Sequence, residues 1–148
     1  MLARNMKSIY LALAMEGIPS QQIRQREQEF RNHLKSIKAD IWTTFDEMDK
    51  QTDESESKEK YAMRIVERDL QLLRRSDLLL VDLSVSGHTY VGCMCEIVYA
   101  RIMKIPIVLF VGDTGNETRT WLIYHADALC STMNATVEAV SRILGIKG

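Results

Sequence analysis

Leu78-Leu79-Leu80-Val81-Asp82-Leu83 is a near-continuous apolar run of strand length. A strand with one face in water alternates apolar and polar residues. An unbroken run suits a central strand covered on both faces, as in a parallel sheet between layers of helices. Ile105 to Val111 repeats the pattern, with Pro106 near its start, where a missing amide is tolerated. Ser8 to Met15 is a third such run, bounded by Gly17 and Pro19, and Ile41 to Phe45 and Ala128 to Ser131 are weaker strand candidates.

Helical spacing fills the intervals. Ser20 reads as the N-cap of a helix to about Lys38, with Ile23, Phe30, Leu34 and Ile37 as its apolar stripe. A second helix is expected from Lys58 to Arg75, with Ala62, Ile65, Val66, Leu70 and Leu73 turned inward. Further helices are expected over Val91 to Met103, Arg119 to Ala126 and Thr136 to Leu144. Strands alternating with helices imply right-handed crossovers. The fold expected for residues 1–148 is a single α/β domain, a flavodoxin-like or Rossmann-like three-layer sandwich with a five-stranded parallel sheet in the order 2-1-3-4-5. Ligands of such sheets bind outside the carboxyl ends of the strands, which singles out the loops after Met15, Leu83 and Val111.

Composition narrows the partners. The 148 residues are 46% hydrophobic and 26% charged, with a formal net charge of −1. That balance is globular, and it provides no basic field for nucleic acid or an anionic membrane surface. The ligand expected is a small molecule. No apolar run approaches the roughly 18 residues of a membrane span, and no small-residue cleavage site follows the stretch after Lys7. Three cysteines are too few and too poorly spaced for a zinc shell or a disulfide framework, so all three are expected as reduced, mostly buried thiols in a cytoplasmic protein. Asp46 to Lys60 is acidic, with Met48 its only clear apolar residue, and is expected to be a mobile loop, either a lid that closes over the site or a solvated loop with no role.

Polar residues that interrupt apolar patterns near those loops carry the functional signal. Glu96 is expected in the opening turn of the helix after the third strand, where the helix dipole favours its ionised form; it is either a nucleophile or a simple cap. Asp69 lies on or beside the buried face of the second helix, as a working carboxylate or as an edge residue paired with Arg68 or Arg74. Tyr10 lies within the first strand, as core packing or as a hydroxyl with a partner to find. Asp82 either orients a ligand or bonds the loop that follows. His88 and His125 have no metal-ligand spacing and read as ordinary surface, and Cys93 and Cys95 read as packing. The Gly87 and Gly92 loop lacks the Gly-Lys-Ser/Thr of a phosphate-binding loop.

Taken together, Ile9-Tyr10-Leu11-Ala12, Glu67-Arg68-Asp69-Leu70, Ser76-Asp77 with the run to Asp82, Gly92-x-x-x-Glu96-Ile97-x-x-Ala100 and Lys104-Ile105-Pro106-Ile107 resemble the nucleoside 2-deoxyribosyltransferase superfamily over about residues 7 to 130. That superfamily includes base-exchanging transferases and nucleoside 5′-monophosphate N-glycosidases. The resemblance implies catalytic roles for Glu96 as nucleophile, Asp69 as the carboxylate beside the reacting centre, and Tyr10 as the hydroxyl near the nucleophile. It implies substrate contacts at Ala12, Asp82, Tyr90 and Gly92, and at Asn116 or Thr120 supplied by a neighbouring subunit, hence a homodimer or larger homo-oligomer. It implies no metal and no organic cofactor. Met94 stands at the second glycine position of the common Gly-x-Gly-x-Glu pattern, as in cytidine-monophosphate hydrolases, and Tyr90 stands where relatives carry Asp or Ser.

The activity expected is cleavage of the N-glycosidic bond of a (deoxy)ribonucleoside or its 5′-monophosphate, with transfer of the sugar from Glu96 to another base or to water. The alternatives are a strict hydrolase of nucleoside 5′-monophosphates and a non-catalytic nucleotide-sensing module.

Overall fold

A computed structural model describes residues 6–44 and 55–146. Its elements run β1 (Lys7–Ala12), α1 (Ser20–His33), β2 (Ala39–Trp42), α2 (Lys58–Arg74), β3 (Leu78–Asp82), α3 (Val91–Ile102), β4 (Ile107–Phe110), a 3-10 turn (Asn116–Thr118), α4 (Thr120–His125), β5 (Ala128–Cys130) and α5 (Met133–Leu144). All strand pairs are parallel and the sheet order is β2-β1-β3-β4-β5. The order and class are those the sequence predicts.

Side-chain alternation divides the core in two. Ile9 and Leu11 of β1, Leu78 and Leu80 of β3 and Val108 of β4 pack with Ile23, Phe30, Ala139 and Val140 of α1 and α5. Tyr10, Ala12, Leu79, Val81, Ile107 and Leu109 pack with Leu73, Cys93, Ile97, Ala100 and Leu122 of α2, α3 and α4. All five residues of β3 are buried, which is why its sequence shows no alternation. β2 alternates half-buried and exposed residues because it forms the sheet edge.

Several boundaries differ from expectation for identifiable reasons. α1 takes Pro19 as its N-cap and makes Ser20 its first residue, with no side-chain cap; it stops at His33, and Leu34 packs into the core from beyond the helix end. Thr132 caps α5 by accepting from the Ala135 amide at 3.1 Å, which starts that helix at Met133. Ala62 and Val66 of α2 are exposed, so its buried stripe is narrower than the sequence suggests. His125 is buried rather than surface, with Nδ1 2.7 Å from the Trp121 carbonyl. Cys93 and Cys130 are buried and Cys95 is exposed; all three are free thiols. Most of the expected lid over Asp46 to Lys60 lies outside the described residues; at its described end Ser57 caps α2 by accepting from the Lys60 amide.

Candidate active site

The carboxyl ends of β1 and β3 open into a cleft of about 360 Å³. β1 is hydrogen-bonded on both sides, so the residues it sends upward toward α2 and α3 are held firmly. Tyr10 and Ala12 face that way, and the chain continues through Leu13 to Glu16 along the cleft wall. α2 contributes Tyr61, Ile65 and Asp69 to the lining, and α3 contributes Val91, Gly92, Cys93 and Glu96.

Glu96 stands in the second turn of α3, not the opening turn that the sequence suggested, because the helix begins at Val91. The dipole effect fades within the first turn, and burial dominates instead. Removal from water raises the Glu96 carboxyl to about 7; a hydrogen bond from the Tyr10 hydroxyl opposes that rise and the Asp69 charge adds to it. Its Oε2 is buried and has no hydrogen-bond partner among the described residues. A carboxylate oxygen left unpaired in a cleft is positioned to act on something that enters it.

Asp69 lies close enough to add its charge to both Glu96 and Tyr10. Burial raises its carboxyl to about 6, against the pull of the neighbouring Arg68. The Arg68 Nη2 is 3.5 Å from Asp69 Oδ1 and reaches the Thr44 carbonyl at 3.4 Å, so this is an ion pair without a well-formed hydrogen bond. Tyr10 is pushed well above the ordinary phenol range, by burial first and by the Glu96 and Asp69 charges next; its hydroxyl also meets Thr44. It is therefore a hydrogen-bond donor, never a phenolate, at any physiological pH.

The other predicted residues divide. Ala12, Tyr90 and Gly92 line the cleft beside Glu96. Tyr90 is the N-cap of α3 with a left-handed backbone (φ 55°, ψ 35°), and its hydroxyl both accepts from the Val85 amide and donates to the Val85 carbonyl, each at 2.6 Å. Gly92 has open space where a Cβ would stand. Asp82, Asn116 and Thr120 are outside the cleft. Asp82 is fully buried, paired with Arg26 and bonded to the amide and hydroxyl of Ser84. Asn116 donates to the Leu83 carbonyl at 2.9 Å and accepts from Arg119 at 3.0 Å, pinning two loops together. Thr120 is exposed at the start of α4.

The lining also includes polar side chains that the sequence did not mark as site residues, among them Glu16, Thr44, Tyr61 and His88. His88 packs edge-on against Tyr90, with ring centroids 4.7 Å apart. Among the described residues no group of three or more His, Cys, Asp and Glu is placed to hold a metal, and no helix is long and apolar enough to cross a membrane.

Chemically, the cleft offers two carboxyls with raised proton affinity and a fixed phenol donor. One carboxylate can attack a carbon centre while the other manages a proton, the division of labour seen in glycosidases.

Solved structures share this architecture. The 2-deoxyribosyltransferase of Bacillus psychrosaccharolyticus superposes with a TM-score of 0.65 at 17% identity, covering 86% of this chain and 88% of that one. The 2-deoxyribosyltransferase of Leishmania mexicana gives 0.66 at 17% identity, with 92% and 97% covered. A CMP N-glycosidase of Clostridium botulinum gives 0.54 at 14% identity, with 92% and 98% covered. At such identities these likenesses establish the fold. No curated protein matches the chain. Residues 9–141, from the middle of β1 into α5, match the family model for nucleoside 2-deoxyribosyltransferases. That match takes in nearly the whole domain, including Tyr10, Asp69 and Glu96, and by it the chain belongs to the nucleoside 2-deoxyribosyltransferase family.

Proposed function

We propose that the protein cleaves the N-glycosidic bond of a (deoxy)ribonucleoside or its nucleotide by double displacement on Glu96. The observation that carries this reading is the unpaired, buried Glu96 carboxylate oxygen beside the Tyr10 donor and Asp69. Glu96 attacks the anomeric carbon, the C–N bond breaks, and its electron pair departs on the base. Asp69, with its raised proton affinity, supplies the proton the departing base takes up. The Tyr10 hydroxyl stabilises the Glu96 carboxylate before attack and as it is regenerated. A second base or a water then attacks the same carbon, the bond from that carbon to Glu96 breaks and returns the carboxylate, and Asp69 takes up the attacker's proton, so the configuration is retained overall.

The site is proposed to be completed by a second copy of the chain. Asn116 and Thr120 stand outside their own chain's cleft, and beside Thr120 the apolar side chains of Trp121, Ile123, Tyr124 and Ile102 are exposed.

The test is incubation with nucleosides, their 5′-monophosphates and NAD, with and without an acceptor base. Base released without acceptor identifies a hydrolase; exchange only with acceptor identifies a transferase. No release from any substrate, with binding retained, would leave a nucleotide-sensing module in place of the enzyme.

A further inference from the structure

Among the described residues three buried side-chain atoms lack a hydrogen-bond partner: Glu96 Oε2, Asp69 Oδ1 and Arg68 Nε. Glu96 and Asp69 line the cleft, where a substrate meets them. Arg68 does not line it; its side chain borders a separate hollow on the outer face of α2, with Met63 and Gln71. From that side its Nη2 stands 3.5 Å from Asp69 Oδ1 and 3.4 Å from the Thr44 carbonyl. Both distances exceed the usual N–H···O range, which ends at roughly 3.2 Å. The two side chains are only 18% and 19% exposed, so little water stands in for the bond they do not make. The guanidinium therefore waits beside the carboxyl, and a small approach would close the pair. The other titratable groups around Asp69 are Tyr10 from β1, Glu16 from the loop after it, His88 from the loop before α3, Glu96 from α3 and Tyr61 on its own helix. Arg68 is the one cation paired with Asp69 among the described residues.

We propose that Arg68 is a positioning residue that acts through Asp69: its guanidinium closes on the carboxyl as the proton passes to the departing base, and withdraws to the Thr44 carbonyl as Asp69 takes up the attacker's proton. This rests on the N-glycosidic mechanism proposed above and adds a residue to it. In the first half-reaction the O–H bond of Asp69 breaks as an N–H bond forms on the base. The carboxylate left behind is a new anion in a poorly hydrated place, where an unpaired charge is costly. Arg68 compensates it from behind, without entering the cleft and without giving up a proton of its own. While Asp69 holds its proton it attracts the guanidinium weakly; once ionised it forms a charge-assisted bond, about twice as strong as a neutral one. The interaction thus grows as the base departs, which favours the transition state over the bound substrate. The proton affinity of Asp69 is consistent with this: burial raises it and Arg68 opposes the rise, leaving the carboxyl at about 6, able to release a proton near neutrality. Thr44 couples the pair to the rest of the site, since its hydroxyl meets Tyr10 while its carbonyl accepts from Arg68.

The experiment measures kcat and KM against pH for the native protein, for Arg68→Gln and Arg68→Met, which remove the charge, and for Arg68→Lys, which keeps it. The substrates are 2′-deoxynucleosides and their 5′-monophosphates carrying bases alike in shape and unlike in acidity: uracil with 5-fluorouracil, adenine with 2-fluoroadenine. Loss of the charge should lower kcat about tenfold on the less acidic base, a part of what general acid catalysis contributes, with KM little changed. The fluorinated partner, which leans less on the acid, should lose less. The pH optimum of kcat/KM should rise by about half a unit, because the proton affinity of Asp69 rises by about one unit without its cation and the optimum lies midway between Asp69 and Glu96. Arg68→Lys should hold the native optimum and recover most of the rate. Added to Asp69→Asn, Arg68→Gln should cost nothing further. Equal losses on both bases of a pair with the optimum unmoved, or losses that add to those of Asp69→Asn, would show that Arg68 only braces α2 against Thr44, and would overturn the proposal while leaving the glycosidic activity standing. Native rates in Asp69→Asn would remove the proton donor, and base release from no substrate would remove the activity, each taking this inference with it.

Discussion

The Tyr10 hydroxyl bonds the carboxylate of Glu96, joining β1 to the second turn of the helix after β3. Neither group is at its ordinary proton affinity. Burial raises both, and each charge near them raises the phenol further. The bond is therefore a donor that never ionises set against an acceptor whose ionisation falls near neutrality.

Removing the acceptor should remove the activity and leave the fold. Glu96→Ala is expected to lose at least about a thousandfold in kcat, roughly 4 kcal/mol of transition-state stabilisation. Glu96→Gln should unfold at the same temperature as the native protein or higher at neutral pH, because a buried carboxylate oxygen without a partner is a cost to the folded state. Circular dichroism and thermal melts accompany the rate measurement. A variant with near-native turnover would assign the nucleophile elsewhere.

Tyr10→Phe keeps the packing and deletes the hydroxyl. Without its donor the Glu96 carboxyl should rise further above 7, and kcat/KM should fall by about ten- to a hundredfold at pH 7, the scale of one lost catalytic hydrogen bond. The loss should lessen at higher pH, since more of the mutant's Glu96 becomes ionised there. A loss that does not change with pH would mean the hydroxyl positions substrate and does not tune Glu96.

The same carboxyls make activity and stability respond differently to pH. Attack needs ionised Glu96 and departure of the base needs protonated Asp69, so kcat/KM should pass through a maximum between about 6 and 7 and fall on either side. For stability, the folded-state proton affinities of Glu96 and Asp69 lie above those of the unfolded chain. Between the unfolded values, in the usual carboxyl range, and about 6 to 7 the folded state holds more protons. The contribution of these groups is then fully present below the unfolded values and declines as pH rises through 6 and 7. Melting temperatures of native protein and Glu96→Gln should converge near pH 5 and separate by pH 8, with the variant the more stable. Parallel curves across that range would show that Glu96 is not buried in its charged form.

The fold was legible where burial is two-sided: β3 and β4 are recognisable because both faces are covered, and the sheet order follows from their connections. Glu96 and Asp69 were legible as carboxylates breaking apolar patterns. The start of α3 at Val91 was legible too, and Glu96, its sixth residue, therefore falls in the second turn and not in the opening turn the sequence suggested. Glu16, Thr44 and His88 come to the cleft from loops whose paths depend on packing, and no local pattern marks them. Asp82 looked the same in sequence whether it oriented a ligand or bonded its loop; its pairing with Arg26 and Ser84 is visible in three dimensions alone.

That pairing makes Asp82 a test of stability. Asp82→Ala strands the Arg26 guanidinium and frees the Ser84 amide and hydroxyl. Removing one partner of a buried ion pair costs about 3–5 kcal/mol, and Arg26 is partly exposed, so the lower end, about 3 kcal/mol, is expected. Urea unfolding measures it. A change below about 0.5 kcal/mol, the scale of ordinary surface substitutions, would contradict the structural role.

In α4 Leu122 and His125 turn inward, which leaves Trp121, Ile123 and Tyr124 exposed, and Ile102 of α3 is exposed as well. Trp121 is 76% exposed and Ile102 70%, values that a stable monomer has little reason to combine on large apolar side chains. If a second copy covers them, sedimentation at micromolar concentration should show at least a dimer, and Trp121→Glu should shift it toward monomer. Thr120 adjoins that surface, so in such an assembly its hydroxyl can reach the partner's cleft, and the activity of Trp121→Glu should fall with its association. Subunit mixing separates a shared site from simple stabilisation. Glu96→Ala and Thr120→Ala, each impaired alone, should regain activity when mixed, because a mixed dimer holds one cleft with both Glu96 and a neighbouring Thr120. No recovery on mixing, with mixed dimers demonstrated, would confine each site to a single chain.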